Sequence, residues 1–362
     1  MIDFSLLAAG GIKDLQAYQP GKPIEELERE LGISNIIKLG SNENPLGPSP
    51  KVLEAVRGGL KNITRYPDGF DLTAKLAAQL KVNAKQITLG NGSNQVLNII
   101  AQTFLTPEHN AVVSAHAFIV YPIAVKMLGA GLKTVPARKW GHDLDAMANA
   151  IDEKTRIVFI ANPNNPTGTW NSGTEVRAFM KRVPANVIVV LDEAYTEYVT
   201  TSEYESGFAL LNQYPNLIVT RTFSKAYGLA GLRVGYSVSS EQVANLLNRV
   251  REPFNVNSLA LLAAQTALDD IEYLEKSKKL NTEGMRLLED GFRCLGLQWI
   301  PSIGNFIAVE FQSEAMPLYN KLLHKGIITR PIAMYGMPNH LRISIGLPEE
   351  NERCLKALQE IL

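Results

Sequence analysis

The sequence predicts an α/β fold: a large domain with a mostly parallel, mixed sheet flanked by helices, followed by a smaller α+β domain. Between residues 87 and 238, short apolar runs alternate with helical stretches, the pattern of strands joined by crossover helices. Polar and ionisable residues repeatedly stand just after those runs, where open α/β sheets bind ligands. From about Arg251 the rhythm changes to long helices and then isolated strands. These features divide the chain into an N-terminal arm (1–45) that contributes to the small domain, a large domain (46–250) and a small C-terminal domain (251–362).

In the arm, Tyr18-Gln-Pro-Gly-Lys-Pro is turn-rich, and Ile24–Leu31 has the spacing of a short amphipathic helix. The run 36–39 leads into Ser41-Asn-Glu-Asn-Pro-Leu-Gly-Pro-Ser-Pro, whose three prolines exclude both strand and helix. A helix is expected over 51–61 and a turn at Arg65-Tyr66-Pro67-Asp68. Strands are expected over 87–89, 111–114, 157–160, 187–191, 217–220 and 234–238, with a helix over 95–104. The C-terminal part reads as helices over 259–268 and 271–294 and strands over 306–311 and 341–345.

Composition narrows the function classes. The 362 residues carry 36 Lys plus Arg against 36 Asp plus Glu, so nothing in the charge points to nucleic acid or an acidic membrane as partner. No apolar run is long enough to span a bilayer, and the N-terminal segment has an acidic residue, Asp3, where a signal peptide would be basic. Two cysteines, Cys294 and Cys354, and five histidines form no metal-ligand pattern, which fits a cytoplasmic protein with reduced thiols.

The chemistry concentrates after the strands. Lys225 follows the run 217–219, between Ser224 and a Gly-rich segment, and Arg233 lies eight residues on. A lone lysine is ordinarily a solvated loop residue. A confined one, with hydroxyls at Thr222 and Ser224 and a nearby guanidinium, suits a carbonyl cofactor that carries a phosphate. Gly90-Asn-Gly92-Ser93-Asn94-Gln95 lacks the third glycine of a dinucleotide fingerprint but offers backbone N–H groups and a hydroxyl at a helix N-terminus, which is a phosphate site. Asp192 ends a buried strand with Tyr195 three residues later, and a buried carboxylate there calls for a cationic partner. Asn165 sits in a proline-rigid turn after another strand, and Phe118 just past a third.

The ordered series N-N-P-T-G, D-E-A-Y and S-K-A-Y-G-L-A-G-L-R-V-G-Y, preceded by K-L-G-S-N-E-N-P-L-G-P-S-P and followed by P-N-H-L-R-I-S-I-G, resembles the histidinol-phosphate aminotransferase family of fold-type I pyridoxal-phosphate enzymes. The resemblance implies that Lys225 is the Schiff-base lysine and proton shuttle. It implies that Asp192 holds the pyridine nitrogen, that Tyr195 and Asn165 hold the phenolic oxygen, and that Phe118 stacks on the ring. Gly92, Ser93, Asn94, Thr222, Ser224 and Arg233 would surround the phosphate, joined by Tyr66 from a neighbouring subunit, which implies a homodimer with shared active sites. Many relatives carry Asp-Glu where this chain has Asn94-Gln95, so the side-chain role of Asn94 stays open. Tyr18, Asn165, Arg330 and Arg342 would meet the substrate's phosphate or carboxylate. The implied reaction exchanges an amino group between L-histidinol phosphate plus 2-oxoglutarate and imidazole-acetol phosphate plus L-glutamate, in histidine biosynthesis. An aromatic amino-acid aminotransferase, a threonine-phosphate decarboxylase and a non-catalytic cofactor-binding regulatory domain stand as alternatives on the same scaffold. The last usually has a DNA-binding domain ahead of this part, where this chain has a short arm.

Overall fold

Runs of β-branched and aliphatic residues supply most of the strands. The computed structural model describes every residue except Met1, Asp14, Gln16 and Tyr18. In chain order the strands are β1 (Ile37–Lys38), β2 (Ile87–Gly90), β3 (Asn110–Ser114), β4 (Gly131–Val135), β5 (Thr155–Ala161), β6 (Ile188–Asp192), β7 (Leu217–Thr222), β8 (Gly235–Val238), β9 (Gln298–Ile300), β10 (Phe306–Glu310), β11 (Ile327–Ile328), β12 (Arg330–Pro331) and β13 (His340–Ser344). Seven of them form one sheet in the order β2-β8-β7-β6-β5-β3-β4. It is parallel from β7 through β6, β5 and β3 to β4, and antiparallel only where β8 joins β7 and β2.

Continuous apolar sequence in β5 and β6 follows from burial on both faces. Alternate residues feed two separate cores: Val158, Ile160, Val189 and Leu191 enter one, Ile157, Phe159, Ile188 and Val190 the other. Helix Ser93–Phe104 closes the second face with Val96, Leu97 and Ile100, and helix Gly173–Arg182 closes the first with Val176 and Phe179. The edge strand β4 was not read from the sequence, because Gly-Leu-Lys-Thr-Val is largely solvent-facing and lacks an apolar run.

The C-terminal part builds an antiparallel sheet, β12-β13-β10-β9, against helices Ile271–Cys294 and Pro348–Ile361. Leu288, Phe292, Ile343 and Leu358 meet there in a third core. The arm's β1 pairs in parallel with β11, so the loop that follows it is carried across to the C-terminal sheet. Helix Ser258–Asp269 lies beyond residue 250 yet packs Ala260, Ala263 and Ala264 into the first core beside Val52 and Leu72. Among the described residues no helix is long and apolar enough to cross a membrane.

Phe159 is fully buried and stacks on Tyr121 at 4.9 Å with an interplanar angle of 8°. Truncation by Phe159→Ala is expected to cost about 3–5 kcal/mol, read as a fall in the urea midpoint of the cofactor-free protein. An unchanged midpoint would contradict the packing described.

Candidate active site

The carboxyl ends of β5, β6 and β7 open into a cavity of about 500 Å³, roofed by the loop 40–43, β12 and β13. Lys225, Asp192, Tyr195 and Asn165 all line it, as do Phe118, Ser93 and Asn94. Thr222, Ser224 and Arg233 line it too, as do Arg330 and Arg342.

Asp192 is the last residue of β6 and is buried. The Tyr121 hydroxyl donates to one carboxylate oxygen at 2.8 Å, and the Thr220 hydroxyl to the other at 2.9 Å. Both donors are neutral, so burial still holds the carboxyl above its usual range, against the lowering effect of these two bonds. A cationic ring N–H is the complementary group for such a carboxylate, and this donor set fits a pyridine-type cofactor.

Lys225 lies three residues past β7, its Nζ 3.4 Å from the Ser41 carbonyl and 5.6 Å from the centre of the Tyr195 ring. Burial, then the neighbouring Arg342 and Arg233, depress its amine to about 7, outweighing Glu43 and Asp192. A lysine so placed has a substantial neutral, nucleophilic fraction near neutral pH.

A further part of the cavity wall is an anion cradle. Gly92, at φ +74°, caps helix Ser93–Phe104, and a Cβ there would come within 2.4 Å of Arg233 Nη2. Gly235 is also obligatory, since its Cβ would meet the Ser93 backbone nitrogen at 2.5 Å. Arg233 Nη1 donates to Ser224 Oγ at 3.3 Å and to the Ala230 carbonyl at 3.0 Å, and the Ser224 N–H donates to Thr222 Oγ1 at 3.1 Å. Helix N–H groups, hydroxyls and a guanidinium in one place match a phosphate. Arg342 donates to Asn165 Oδ1 at 2.6 Å and to the Gly40 carbonyl at 2.7 Å. Arg330, its cross-strand neighbour, donates to the Gln19 carbonyl at 2.7 Å.

Two expected site residues, Tyr66 and Gly92, do not line the cavity. Tyr66 is 81% exposed and stacks on Phe254 at 4.5 Å in a separate surface groove with Arg65 and Asn91. Tyr18 lies outside the described residues. Gly92 backs Arg233 instead of facing the cavity.

Sequence reasoning missed Tyr121, Thr220 and Asn42, whose Nδ2 donates to Tyr195 Oη at 3.0 Å. It also missed Arg221, which pairs with Glu193 at 2.7 Å and Glu197 at 3.1 Å. One signal was available: strand alternation sends Glu193 and Arg221 to the face opposite Asp192, Thr220 and Thr222.

The model of the family "aminotransferase class I and II" matches residues 34–358. The chain belongs to that family. Among its relatives, histidinol-phosphate aminotransferase 2 of Pseudomonas aeruginosa is 59% identical, over 100% of this chain and 99% of its own. Histidinol-phosphate aminotransferase 1 of Mannheimia succiniciproducens is 54% identical over 97% of each chain. The crystal structure of histidinol-phosphate aminotransferase from Sinorhizobium meliloti, in complex with pyridoxal-5'-phosphate, is 30% identical and superimposes with a TM-score of 0.88, covering 97% of this chain and 96% of that one. The aspartate aminotransferase of Thermus thermophilus, 22% identical with a TM-score of 0.84 over 94% of this chain and 97% of its own, shares the fold.

The depressed amine of this aminotransferase can be measured. The neutral fraction of Lys225 rises with pH through about 7, well below the ~10.4 of an exposed lysine. In the cofactor-free protein, reductive alkylation of Lys225, located by peptide mapping, is therefore expected to reach half its limiting rate near neutral pH. A midpoint close to that of surface lysines would refute the effect of the cavity.

Proposed function

We propose that this chain is a histidinol-phosphate aminotransferase. It exchanges an amino group between L-histidinol phosphate plus 2-oxoglutarate and imidazole-acetol phosphate plus L-glutamate, in histidine biosynthesis, with pyridoxal 5'-phosphate as cofactor. The observation that carries the reading is one cavity joining Lys225, Asp192 and the Arg233 cradle to two further arginines. It stands in a chain whose full-length relatives, 51–59% identical, bear that name.

When bound, pyridoxal phosphate supplies a carbonyl carbon for amine capture and a ring that draws electrons from the bonds to the substrate's Cα. Lys225 Nζ would hold the cofactor through that carbon and, once free, would be the base for the proton on the substrate's Cα. Asp192 would keep the ring nitrogen protonated, which would offset the cost of burying its own charge. Tyr195 and the Asn165 amide would hold the phenolic oxygen, and Phe118 would cover the ring. Ser93, Asn94, Thr222, Ser224 and Arg233 would bind the phosphate, with Gly92 leaving room for the Arg233 guanidinium. Arg330, Arg342, Asn165 and Tyr18 orient the substrate through its phosphate or carboxylate, for which the planar fork of arginine is suited.

The proposed assembly is a homodimer in which Tyr66 reaches the partner's phosphate cradle. The exposed group of Ile63, Tyr66 and Phe254 around one groove supports it, since an apolar patch of this kind marks an interaction surface. Within each chain we assign an arm (1–45), a large cofactor domain (46–250) and a small domain (251–362), with helix Ser258–Asp269 packed back onto the large core. The two free cysteines accord with a cytoplasmic location.

The primary test adds L-histidinol phosphate, L-phenylalanine or L-threonine phosphate to cofactor-loaded protein without keto acid. Histidinol phosphate is expected to bleach the visible absorption of the cofactor, and Lys225→Ala to abolish turnover. Response to phenylalanine alone would make the chain an aromatic aminotransferase, and carbon dioxide release from threonine phosphate a decarboxylase. For the shared site, Tyr66→Ala and Lys225→Ala chains are mixed and reassembled. The mixture is expected to regain roughly a quarter of wild-type activity, because half the dimers are mixed and each has one intact site. No recovery would exclude a composite site.

A further inference from the structure

Asn42 lies in the loop after β1, and nothing said so far gives it a part in the reaction. It is buried, with a left-handed backbone at φ +53°, a conformation asparagine adopts more readily than most residues with a Cβ. Its side chain is fixed at both ends. Ser344 Oγ in β13 accepts the Asn42 backbone N–H at 2.8 Å and donates to Asn42 Oδ1 at 3.0 Å. Asn305 Nδ2 donates to the Asn42 carbonyl at 3.1 Å. Since the Ser344 oxygen already takes the backbone N–H, its proton goes to Oδ1, and the nitrogen end of the amide faces Tyr195 at 3.0 Å.

A phenolic hydroxyl that accepts a hydrogen bond on its oxygen still has its own proton to give. We propose that Asn42 is a positioning residue: by donating to Tyr195 Oη it reserves the tyrosine's proton for an acceptor in the cavity, the phenolic oxygen of pyridoxal phosphate. The inference rests on the role assigned to Tyr195 above. It accords with burial lifting the Tyr195 hydroxyl to about 12, which keeps the proton in place across the working range. It also gives the loop after β1 a task. That loop ties the orientation of a large-domain tyrosine to Ser344 and Asn305 of the C-terminal part, so the donor is aimed only when the two parts are packed together.

The test is a pH titration of the visible absorption of cofactor-loaded protein, which reports only folded molecules that carry the cofactor. Tyr195→Phe removes the donor and is expected to raise the spectral midpoint by about one pH unit, the worth of one hydrogen bond. Asn42→Gly keeps the left-handed backbone and removes the amide, and should move the midpoint in the same direction. Asn42→Asp keeps the shape but can only accept, so it draws the tyrosine proton away from the cavity and should move the midpoint further than glycine does. In the Tyr195→Phe background Asn42→Gly should add nothing. If both Asn42 variants leave the midpoint where it is while Tyr195→Phe shifts it, the proposal is wrong and the tyrosine's role survives. A glycine shift that persists undiminished in the Tyr195→Phe protein would likewise overturn it. A midpoint untouched by Tyr195→Phe would remove the tyrosine's role, and this inference with it.

Discussion

A carboxylate at the end of a fully buried strand sets the terms on which this site can exist. Asp192 cannot be left alone there, because an isolated charge in an apolar interior costs several kcal/mol. The fold answers with register. Thr220 is paired with Asp192 across β6 and β7, which puts its hydroxyl on the carboxylate, and Tyr121 arrives from helix Val120–Met127 on the covering face. Tyr121 is in turn fixed by stacking on Phe159 of β5. Packing in the second core and chemistry at the strand end are therefore one arrangement: the same ring that fills the core aims the hydroxyl.

The opposite face of the same two strands carries a second buried charge cluster. Arg221 and Glu193 are the neighbours of Thr220 and Asp192 in sequence, so the pleat turns them away from the cavity. Arg221 pairs there with Glu193 and Glu197, while Glu193 also accepts from the Gly207 N–H at 2.6 Å and from the Ser206 hydroxyl at 2.8 Å. Burial alone would lower the Arg221 guanidinium; the two carboxylates more than reverse this, and it stays charged. Breaking such a cluster by deleting one partner costs about 3–5 kcal/mol, because the remaining charge is stranded. The cluster pins β6 to β7 directly beneath Asp192 and Lys225 and defines their spacing.

What the sequence made legible follows from how local each signal is. Lys225, Asp192, Tyr195, Asn165 and Arg233 each stand in a short motif after an apolar run, so parallel-sheet logic alone brings them to one edge. Helix Ile271–Cys294 was legible in full because its periodic pattern is long. Tyr121 was not, since within an apolar helix a tyrosine reads as core, and only the fold shows that its hydroxyl meets a carboxylate 71 residues away. Asn42 was hidden for the same reason: its partners Tyr195 and Ser344 are 153 and 302 residues distant. Strand β4 escaped because an edge strand exposed on one side needs no apolar run.

Of the arginine pair on β12 and β13, Arg342 bears directly on the reactivity of the lysine. Arg330 and Arg342 occupy directly opposed positions on β12 and β13, where like charges repel. Backbone carbonyls of Gln19 and Gly40 each take one of their N–H groups and help to fix the guanidiniums. The charge of Arg342 falls on Lys225, where it is the largest charge contribution to the lowered amine. On the proposed assignment of Arg342 to the substrate, an anionic group seated there reduces that repulsion and raises the proton affinity of Nζ. The amine is thus least basic when it must be neutral to capture a carbonyl, and more basic once substrate is seated and a proton must be accepted. Electrostatic preorganisation of this kind needs no movement of the chain, only an arginine placed where the lysine and a bound anion would both feel its charge.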